Sequence, residues 1–370
     1  MLKEQAQKIL EDLQQQFKEA QKKKLNFLLV GRTGVGKSST VNSLIGKKIA
    51  QVGDYEATTM EIKEYDTEIN QIPFKVIDTP GLCDDLEELE NDYKYLEMMR
   101  SQVKQIDCMW FVSRLDETRV TGDEKRGIKL ISEAFGADVW KHAVIVFTFA
   151  NSISSSKYLE AVEKRTELIR KVIAKYTSVD LANNIPSVAV DNTNETTPDG
   201  EKWLGELYTK VFTQISQKAT STFLLATADF VRPKKTKKIS QNNRTSRTRE
   251  PQPYRFVSDR RTSQPQRQEN TSKRRHKTTS RNASNRRHRN TSRNTSYYYE
   301  SQKYERPRIE LNQRQKGEIR RTIDANVIPT LAKTGAAIGA AIRLFGRIRG
   351  AAVGGVIGTA LRAMAWFWDR

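Results

Sequence analysis

The stretch GRTGVGKSST at residues 31–40 combines residue types whose spacing matches a phosphate-binding loop. Two glycines five residues apart, followed directly by lysine and serine, form the GxxxxGK[ST] pattern. In such loops backbone amides cradle phosphate, the lysine reaches the β and γ oxygens, and the hydroxyl binds Mg²⁺. The predicted nucleotide-binding residues of the loop are Gly31, Gly34, Val35, Gly36, Lys37, Ser38 and Ser39.

A second motif, VIDTPGL at 76–82, supplies acidic and glycine groups that a bound triphosphate would need. Asp78, at the end of an apolar run, is predicted to hold Mg²⁺ through water, and Gly81 to offer its amide to the γ-phosphate. Between the motifs lies EATTMEI, from which we predict Thr59, rather than Thr58, as the metal cap. The predicted metal site is therefore Ser38, Thr59 and Asp78.

Short apolar runs alternate with amphipathic helical segments from residue 25 to about 220. Strands separated by helices pair in parallel through right-handed crossovers. The fold class predicted is therefore α/β, with a doubly wound, mostly parallel sheet carrying the motifs on its connecting loops. The predicted strands are LNFLLV (25–30), FKVID (74–78), CMWFVS (108–113), AVIVFTF (143–149) and PSVAV (186–190).

Charge and composition divide the chain into four predicted segments. Residues 1–24 have the apolar stripe of an amphipathic helix, and 25–231 form the domain with the motifs. Residues 232–308 carry 24 Lys and Arg against 5 Asp and Glu and have few apolar side chains, which predicts disorder. Residues 309–370 are rich in glycine and alanine, which predicts a helical tail.

The motifs GRTGVGKSSTVNSLIG and VIDTPGL resemble those of the septin-like GTPases. That group includes the plant avirulence-induced and animal immunity-associated GTPases and the chloroplast preprotein-import receptors. The stretch SRLDETRVTGDEKRGIKLISEAFGADVWKHAVIVFTFAN (113–151) is similar to the import-receptor branch. The resemblance covers about residues 25–220, and it implies a domain that binds GTP or GDP with Mg²⁺ and hydrolyses GTP.

The resemblance also implies how the base is bound and how two chains meet. Thr148 and Phe149 stand where most GTPases have N/T-K-x-D, and the usual carboxylate of that motif is absent. The family pattern implies Phe149 against the purine face and the pair Asp191–Asn192 at guanine, with an ordinary turn as the alternative for this pair. Arg119 matches an arginine that reaches the partner's nucleotide across a homodimer, with an ordinary solvated loop residue as the alternative.

Leu82 follows Gly81 where many GTPases have a glutamine that orients water, so slow intrinsic hydrolysis is predicted. The candidate catalytic residues are Lys37, Thr59, Gly81 and Arg119. The function predicted is a GTP-dependent switch. The alternatives are a nucleotide-dependent scaffold with incidental turnover and a nucleic-acid-associated GTPase.

The basic segment 232–308 allows three readings: a solvated tether, attraction to an anionic membrane surface, or non-specific binding of RNA or DNA. In the tail, GAAVGGVIGTALRAMAWFW (350–368) has regularly spaced glycines and one charge. It predicts helices in or across a bilayer, or else a helical hairpin packed on the GTPase domain. Two cysteines in a P-loop protein favour a cytoplasmic location, with attachment to a membrane as an option.

Overall fold

The computed structural model describes residues 2–49, 62–79, 89–231, 307–328 and 355–368. All of them belong to one compact unit. The strands are β1 Leu25–Val30, β2 Lys63–Ile69, β3 Ile72–Asp78, β4 Cys108–Arg114, β5 Ala143–Thr148 and β6 Ser187–Ala189. The helices are α1 Leu2–Gln21, α2 Lys37–Ile45, α3 Leu89–Gln102, α4 Gly122–Phe135, α5 Ser155–Ile173, α6 Val179–Asn184, α7 Trp203–Gln214, α8 Thr220–Thr227, α9 Gln313–Asn326 and α10 Gly355–Trp368.

The strands form one six-stranded sheet in the order β2-β3-β1-β4-β5-β6. Every neighbouring pair is parallel except β2 with β3, which is antiparallel. This confirms the predicted doubly wound, mostly parallel α/β fold. The sequence prediction missed β2, because KEYDTEI is polar and lies at the sheet edge with most of its side chains in contact with water.

Both faces of the sheet are buried, which explains why its central strands are apolar throughout. Alternate residues of β1 and β4 point to opposite sides. On one side Phe27 and Trp110 pack beneath α1, α2, α7 and α8. On the other side Leu28 and Phe111 pack beneath α3, α4 and α5. The predicted amphipathic helix at residues 2–20 is confirmed as α1, and its Leu13 and Phe17 are fully buried.

The carboxyl end of β1 is the point at which the strand order reverses. β1 lies between β3 and β4. After β1 the chain adds β2 and β3 on one side of it, and then adds β4, β5 and β6 on the other side. In open α/β sheets ligands bind in the crevice outside the carboxyl ends of the strands at such a point. The loop 31–38, called the P-loop from here on, therefore lies where the topology alone would place a ligand.

Helices α9 and α10 pack on the domain that carries the P-loop, while residues 329–354 between them lie outside the described residues. Ile319, Ile323, Leu361 and Met364 are fully buried in the same core as α1 and α8. The segment before α9 also returns to the domain, since the Ile309 N–H donates to the Phe230 carbonyl at 2.8 Å. These contacts place residues 307–328 in the fold of the domain.

None of the described helices combines the length and apolar composition needed to cross a bilayer.

Helix α9 is expected to contribute measurably to the stability of the whole domain. Ile323→Ala should lower the free energy of unfolding by roughly 2–5 kcal/mol. Truncating a buried isoleucine loses the free energy of burying its apolar atoms, and it leaves a cavity. The measurement is chemical denaturation of the full chain. Arg321→Ala, exposed on the same helix, is the control and should change stability by about 0.5 kcal/mol or less. Equal stability of the two variants would contradict the observed packing.

Candidate nucleotide-binding site

Glycines let the P-loop approach neighbouring backbone closely. Gly31 has φ +150°, and a Cβ there would lie 2.2 Å from the Val112 carbonyl oxygen of β4. Gly36 has φ +92° and precedes α2, and a Cβ there would lie 3.3 Å from side-chain atoms of Asn192 and Thr148. A larger residue at 31 would therefore push the loop away from β4, and at 36 the left-handed backbone itself favours glycine. Both positions were predicted as binding residues.

Lys37 folds its ammonium group back over the loop. Nζ donates to the Gly31 carbonyl at 2.9 Å and to the Arg32 carbonyl at 3.1 Å, and it lies 3.8 Å from Oδ1 of Asp78. The side chain is buried, so its charge is only weakly screened. An ammonium group has three N–H donors, and these two carbonyls leave one for a phosphate oxygen. Lys37 thus stabilises the loop and keeps one N–H to donate to a phosphate oxygen.

Ser38 and Asp78 meet beside Lys37. The Ser38 hydroxyl donates to Oδ2 of Asp78 at 3.2 Å, while Oδ1 is buried and has no hydrogen-bond partner within the described residues. Burial raises the pKa of the Asp78 carboxyl, against the lowering effects of the Lys37 charge and the Ser38 hydrogen bond. A hydroxyl and an incompletely satisfied carboxylate are hard oxygen ligands of the kind Mg²⁺ takes. The predicted Ser38–Asp78 pair therefore fits the metal.

Thr148 supports the P-loop from behind. Its hydroxyl lies 2.6 Å from the Val35 carbonyl and 3.2 Å from the Ser113 carbonyl, and the residue is fully buried. A hydroxyl has a single proton to donate, and here the partners are backbone oxygens of the loop and of β4. The sequence placed Thr148 with the nucleotide-binding residues, and in the structure its contact is with the loop backbone.

Phe149 follows β5 in the left-handed region, with φ 58° and ψ 34°, a conformation uncommon for a bulky residue. Its ring lies under the guanidinium of Arg114, 3.8 Å from centroid to Cζ. Asp116 holds that guanidinium through two hydrogen bonds, at 2.9 and 2.6 Å. The sequence prediction of a strand through 149 is wrong by one residue, and the turn at that residue sets the direction of the ring.

Asp191 and Asn192 follow β6 and face different partners. Oδ1 of Asp191 accepts from Thr193 N (2.9 Å), Thr193 Oγ1 (2.6 Å) and Asn194 N (3.2 Å). Within the described part of the chain Oδ2 accepts from Asn194 Nδ2 alone, at 2.8 Å. Burial alone would raise the pKa of the Asp191 carboxyl, but these bonds outweigh it and hold the pKa below its ordinary value. Asn192 Nδ2 donates to the Thr40 hydroxyl on α2 at 3.0 Å. Asp191 thus forms a turn, and Asn192 contacts the P-loop helix.

The loops after β5 and β6 lie together, as neighbouring parallel strands require. The Asn151 side-chain amide donates to the Thr193 hydroxyl at 2.9 Å, and the Ala150 N–H donates to the Val190 carbonyl at 3.3 Å. The structure therefore brings the two predicted base-binding loops to the same end of the sheet as the P-loop. Thr59 and Gly81, with Thr58 and Leu82, lie outside the described residues.

Arg119 is exposed in the loop 115–121, called the β4–α4 loop here. Sequence reasoning missed a set of charged contacts beneath this loop. Arg32 of the P-loop pairs with Glu117 at 2.8 Å, and Arg165 of α5 is buried against Glu124 at 2.6 Å. These partners are separated by dozens of residues in the chain, so only the fold brings them together.

Comparison with known proteins agrees with this geometry. The sequence model of the AIG1 family matches residues 25–242. Translocase of chloroplast 34 from Arabidopsis thaliana is 33% identical over 216 residues, which is 54% of this chain and 68% of the relative. GTP-binding protein A from Dictyostelium discoideum is 38% identical over 129 residues, which is 35% of this chain and 28% of the relative.

A solved structure of Toc33 from Arabidopsis thaliana in complex with Mg²⁺ and GMPPNP is also similar, with 25% identity. The likeness covers 59% of this chain and 92% of that one, with a TM-score of 0.45. The family match covers more than half of the chain, including every described element of the P-loop domain between 25 and 231. With its P-loop at the switch point of a doubly wound sheet, the chain belongs to the AIG1 family and is a GTP-binding GTPase.

Proposed function

We propose that this protein is a switch that binds GTP with Mg²⁺ in the P-loop, hydrolyses it slowly as a monomer, and hydrolyses it faster as a nucleotide-dependent homodimer. The observation that carries the proposal is the cluster of Lys37, Ser38 and Asp78 at the carboxyl end of β1. It supplies an ammonium donor, a hydroxyl and a carboxylate oxygen without a hydrogen-bond partner in the described structure, and the carboxylate of Asp78 lies within reach of both Lys37 and Ser38.

The phosphates of GTP would lie over the P-loop. Backbone amides at the start of α2 point toward them, and the positive end of the helix dipole adds attraction for negative charge. Ser38, Thr59 and Asp78 are the residues proposed to hold Mg²⁺, and Gly81 the amide that meets the γ-phosphate. When bound, Mg²⁺ neutralises charge that develops on the β and γ oxygens. Lys37 adds a fixed positive charge at the same oxygens.

The base is proposed to bind at the loops after β5 and β6. Phe149 would present its ring to the purine face, where stacking tolerates any base, so selectivity needs a polar partner. Among the described residues Oδ2 of Asp191 accepts one hydrogen bond, and it keeps a lone pair for the guanine N–H groups. Because Asp191 is 2% exposed, guanine would reach Oδ2 by displacing the Asn194 side chain.

An Asp191→Asn variant is expected to shift preference from GTP to XTP. The amide would donate to the C2 carbonyl of xanthine, whereas the carboxylate accepts from the C2 amine of guanine. We expect the GTP/XTP affinity ratio to fall by about tenfold or more, the cost of leaving buried polar groups unpaired. Titration of both nucleotides on the full chain measures the ratio. Equal losses for GTP and XTP would show that Asp191 only forms its turn.

Arg119 is proposed to reach the nucleotide of a second chain. Its exposure within the β4–α4 loop supports this role, because an arginine in trans must be free of its own domain, and Glu117 of the same loop contacts Arg32 of the P-loop. In a symmetric dimer each chain gives and receives one such arginine. The added positive charge at the partner's phosphates would stabilise bound GTP and its transition state.

Competition binding to the full chain tests the proposed nucleotide. GTP and GDP should bind in the presence of Mg²⁺, removal of Mg²⁺ by chelation should weaken GTP binding, and ATP should compete poorly. ATP binding as tight as GTP binding would overturn the assignment of guanine. An affinity for GTP that is the same with and without Mg²⁺ would overturn the role of Ser38 and Asp78.

Membrane attachment, non-specific nucleic-acid binding and a cytoplasmic location stay predictions. The membrane and nucleic-acid predictions depend on the basic segment 232–308 and on the glycine-rich tail 309–370, of which 232–306 and 329–354 lie outside the described residues. Flotation of the full chain with anionic liposomes at low and high salt tests the membrane prediction. Attraction through the basic segment would be lost at high salt, since it is electrostatic.

A further inference from the structure

A chain of ion pairs joins helix α5 to the β4–α4 loop. Arg165 of α5 is 2% exposed, and its Nη2 lies 2.6 and 2.8 Å from the two carboxylate oxygens of Glu124. The same atom lies 2.9 Å from the Ser113 hydroxyl and 3.3 Å from Oε2 of Glu117. A buried cation is costly unless it is paired, so Arg165 depends on these carboxylates. It therefore fixes Glu117 in the first half of the β4–α4 loop and Glu124 in the first turn of α4, which follows the loop.

Glu117 also contacts the P-loop. Its Oε1 accepts from Nη1 of Arg32 at 2.8 Å, and Nε of Arg32 lies 3.8 Å from Asp123 at the start of α4. Each oxygen of the Glu117 carboxylate thus meets a different arginine, one on the P-loop and one on α5. Removing the charge of Glu117 would weaken both contacts at once, because a glutamine keeps a single acceptor oxygen and no negative charge. Glu117 therefore links the P-loop to the β4–α4 loop through its contact with Arg32.

The far end of the loop is fixed separately. The Thr121 hydroxyl accepts from Glu124 N at 3.2 Å, and Glu124 Oε2 accepts from Thr121 N at 2.9 Å, which is a capping box at the start of α4. Arg119 lies midway between the anchors at Glu117 and Thr121. Its backbone is held on both sides while its side chain is exposed.

We propose that Glu117 is a positioning residue that couples nucleotide binding in the P-loop to the presentation of Arg119 at the dimer interface. The inference rests on the proposed function, in which Arg119 acts on a partner's nucleotide. Phosphates bound over the P-loop fix the backbone of Arg32, Arg32 fixes Glu117, and Glu117 fixes the loop that carries Arg119. Because binding linkages are reciprocal, dimerisation would in turn tighten the hold on the nucleotide.

Sedimentation of full-length Glu117→Gln with a non-hydrolysable GTP analogue tests the coupling. We expect the Kd of the dimer to rise by about tenfold, which is the effect of losing one well-placed charge pair at an interface. The affinity of the monomer for the analogue should stay within about threefold of the wild-type value. Glu160→Gln, an exposed carboxylate on α5, makes the same charge change and should dimerise as the wild type does. Unchanged dimerisation of Glu117→Gln would overturn the inference.

A double-mutant cycle measures the coupling between Arg32 and Glu117 in dimerisation, which would be absent if Glu117 only stabilised the fold. If Glu117 acts through Arg32, the double variant Arg32→Gln/Glu117→Gln should dimerise no more weakly than the weaker single variant. Additive losses would overturn the coupling. Arg119→Ala in the same assay separates the two hypotheses: if it loses the dimer while Glu117→Gln keeps it, only this inference fails. If Arg119→Ala also keeps the dimer, the proposed function fails with it.

Discussion

Replacing Lys37 with alanine is expected to lower kcat/KM for GTP by on the order of 10–10²-fold. The wild-type ammonium keeps one N–H for a phosphate oxygen, a charge-assisted hydrogen bond is worth about 1.5–3 kcal/mol, and each 1.4 kcal/mol is about a factor of ten. Titration of GTP followed by single-turnover hydrolysis measures the loss in binding and in the chemical step separately.

Lys37 also donates to the Gly31 and Arg32 carbonyls, so its removal leaves those oxygens without this donor. Thermal unfolding of the variant shows whether the domain is intact. Lys48→Ala, an exposed lysine shortly after α2, is the matched control and should bind GTP as the wild type does. Wild-type hydrolysis by a folded Lys37→Ala chain would contradict the placement of phosphates over the P-loop.

Arg119→Ala is expected to abolish nucleotide-dependent dimerisation at micromolar protein. A symmetric dimer loses two trans contacts, each worth about 1.5–3 kcal/mol when charge-assisted, so its Kd should rise by on the order of 10²–10⁴-fold. Analytical ultracentrifugation with a GTP analogue measures the change. Monomer affinity for the analogue should stay close to the wild-type value, since Arg119 is exposed in its own chain.

Lys125→Ala removes the same charge from an exposed position on α4 and serves as the control for general electrostatics. It should dimerise as the wild type does. If Arg119→Ala dimerises normally with the analogue, Arg119 is an ordinary solvated loop residue, which is the alternative that the sequence left open.

The parts of the site that sequence predicts well are those encoded by contiguous residues. The P-loop follows directly from its glycines, lysine and serine, and the apolar run of β1 fixes where the loop emerges from the sheet. Asp78 follows from its place at the end of β3, and the structure puts its carboxylate beside Ser38. Local pattern and local geometry agree here, because a strand, a tight loop and a helix N-terminus are adjacent in the chain.

Other parts depend on tertiary contacts that leave no local signal. The left-handed turn at Phe149 and its stacking with Arg114 need β4 and β5 side by side. The contact of Arg165 with Glu117 joins residues 48 apart, and neither residue type is unusual in its own segment. The polar edge strand β2 lacks the apolar run by which the other strands were recognised. Thr148 was recognised as part of the site, but its contact with the Val35 carbonyl depends on the packing of β5 behind the P-loop.

The tail shows how little composition says about where a helix packs. Its glycine- and alanine-rich composition favoured helices in or across a bilayer, because small residues allow close helix packing in lipid. In the structure Leu361 and Met364 of α10 are fully buried in the core of the domain, whereas residues 329–354 lie outside the described residues. Membrane attachment of the tail therefore stays a prediction.

GTP turnover per molecule, measured on the full chain across protein concentration, tests the central claim most directly. A dimer-activated GTPase should accelerate by about tenfold or more per molecule as the dimer forms, since an arginine in trans acts on the transition state. The Arg119→Ala chain should stay at the slow monomer rate throughout. Turnover per molecule that is constant with concentration, in a chain that nevertheless dimerises with GTP, would contradict the claim and indicate a scaffold that holds its nucleotide for assembly.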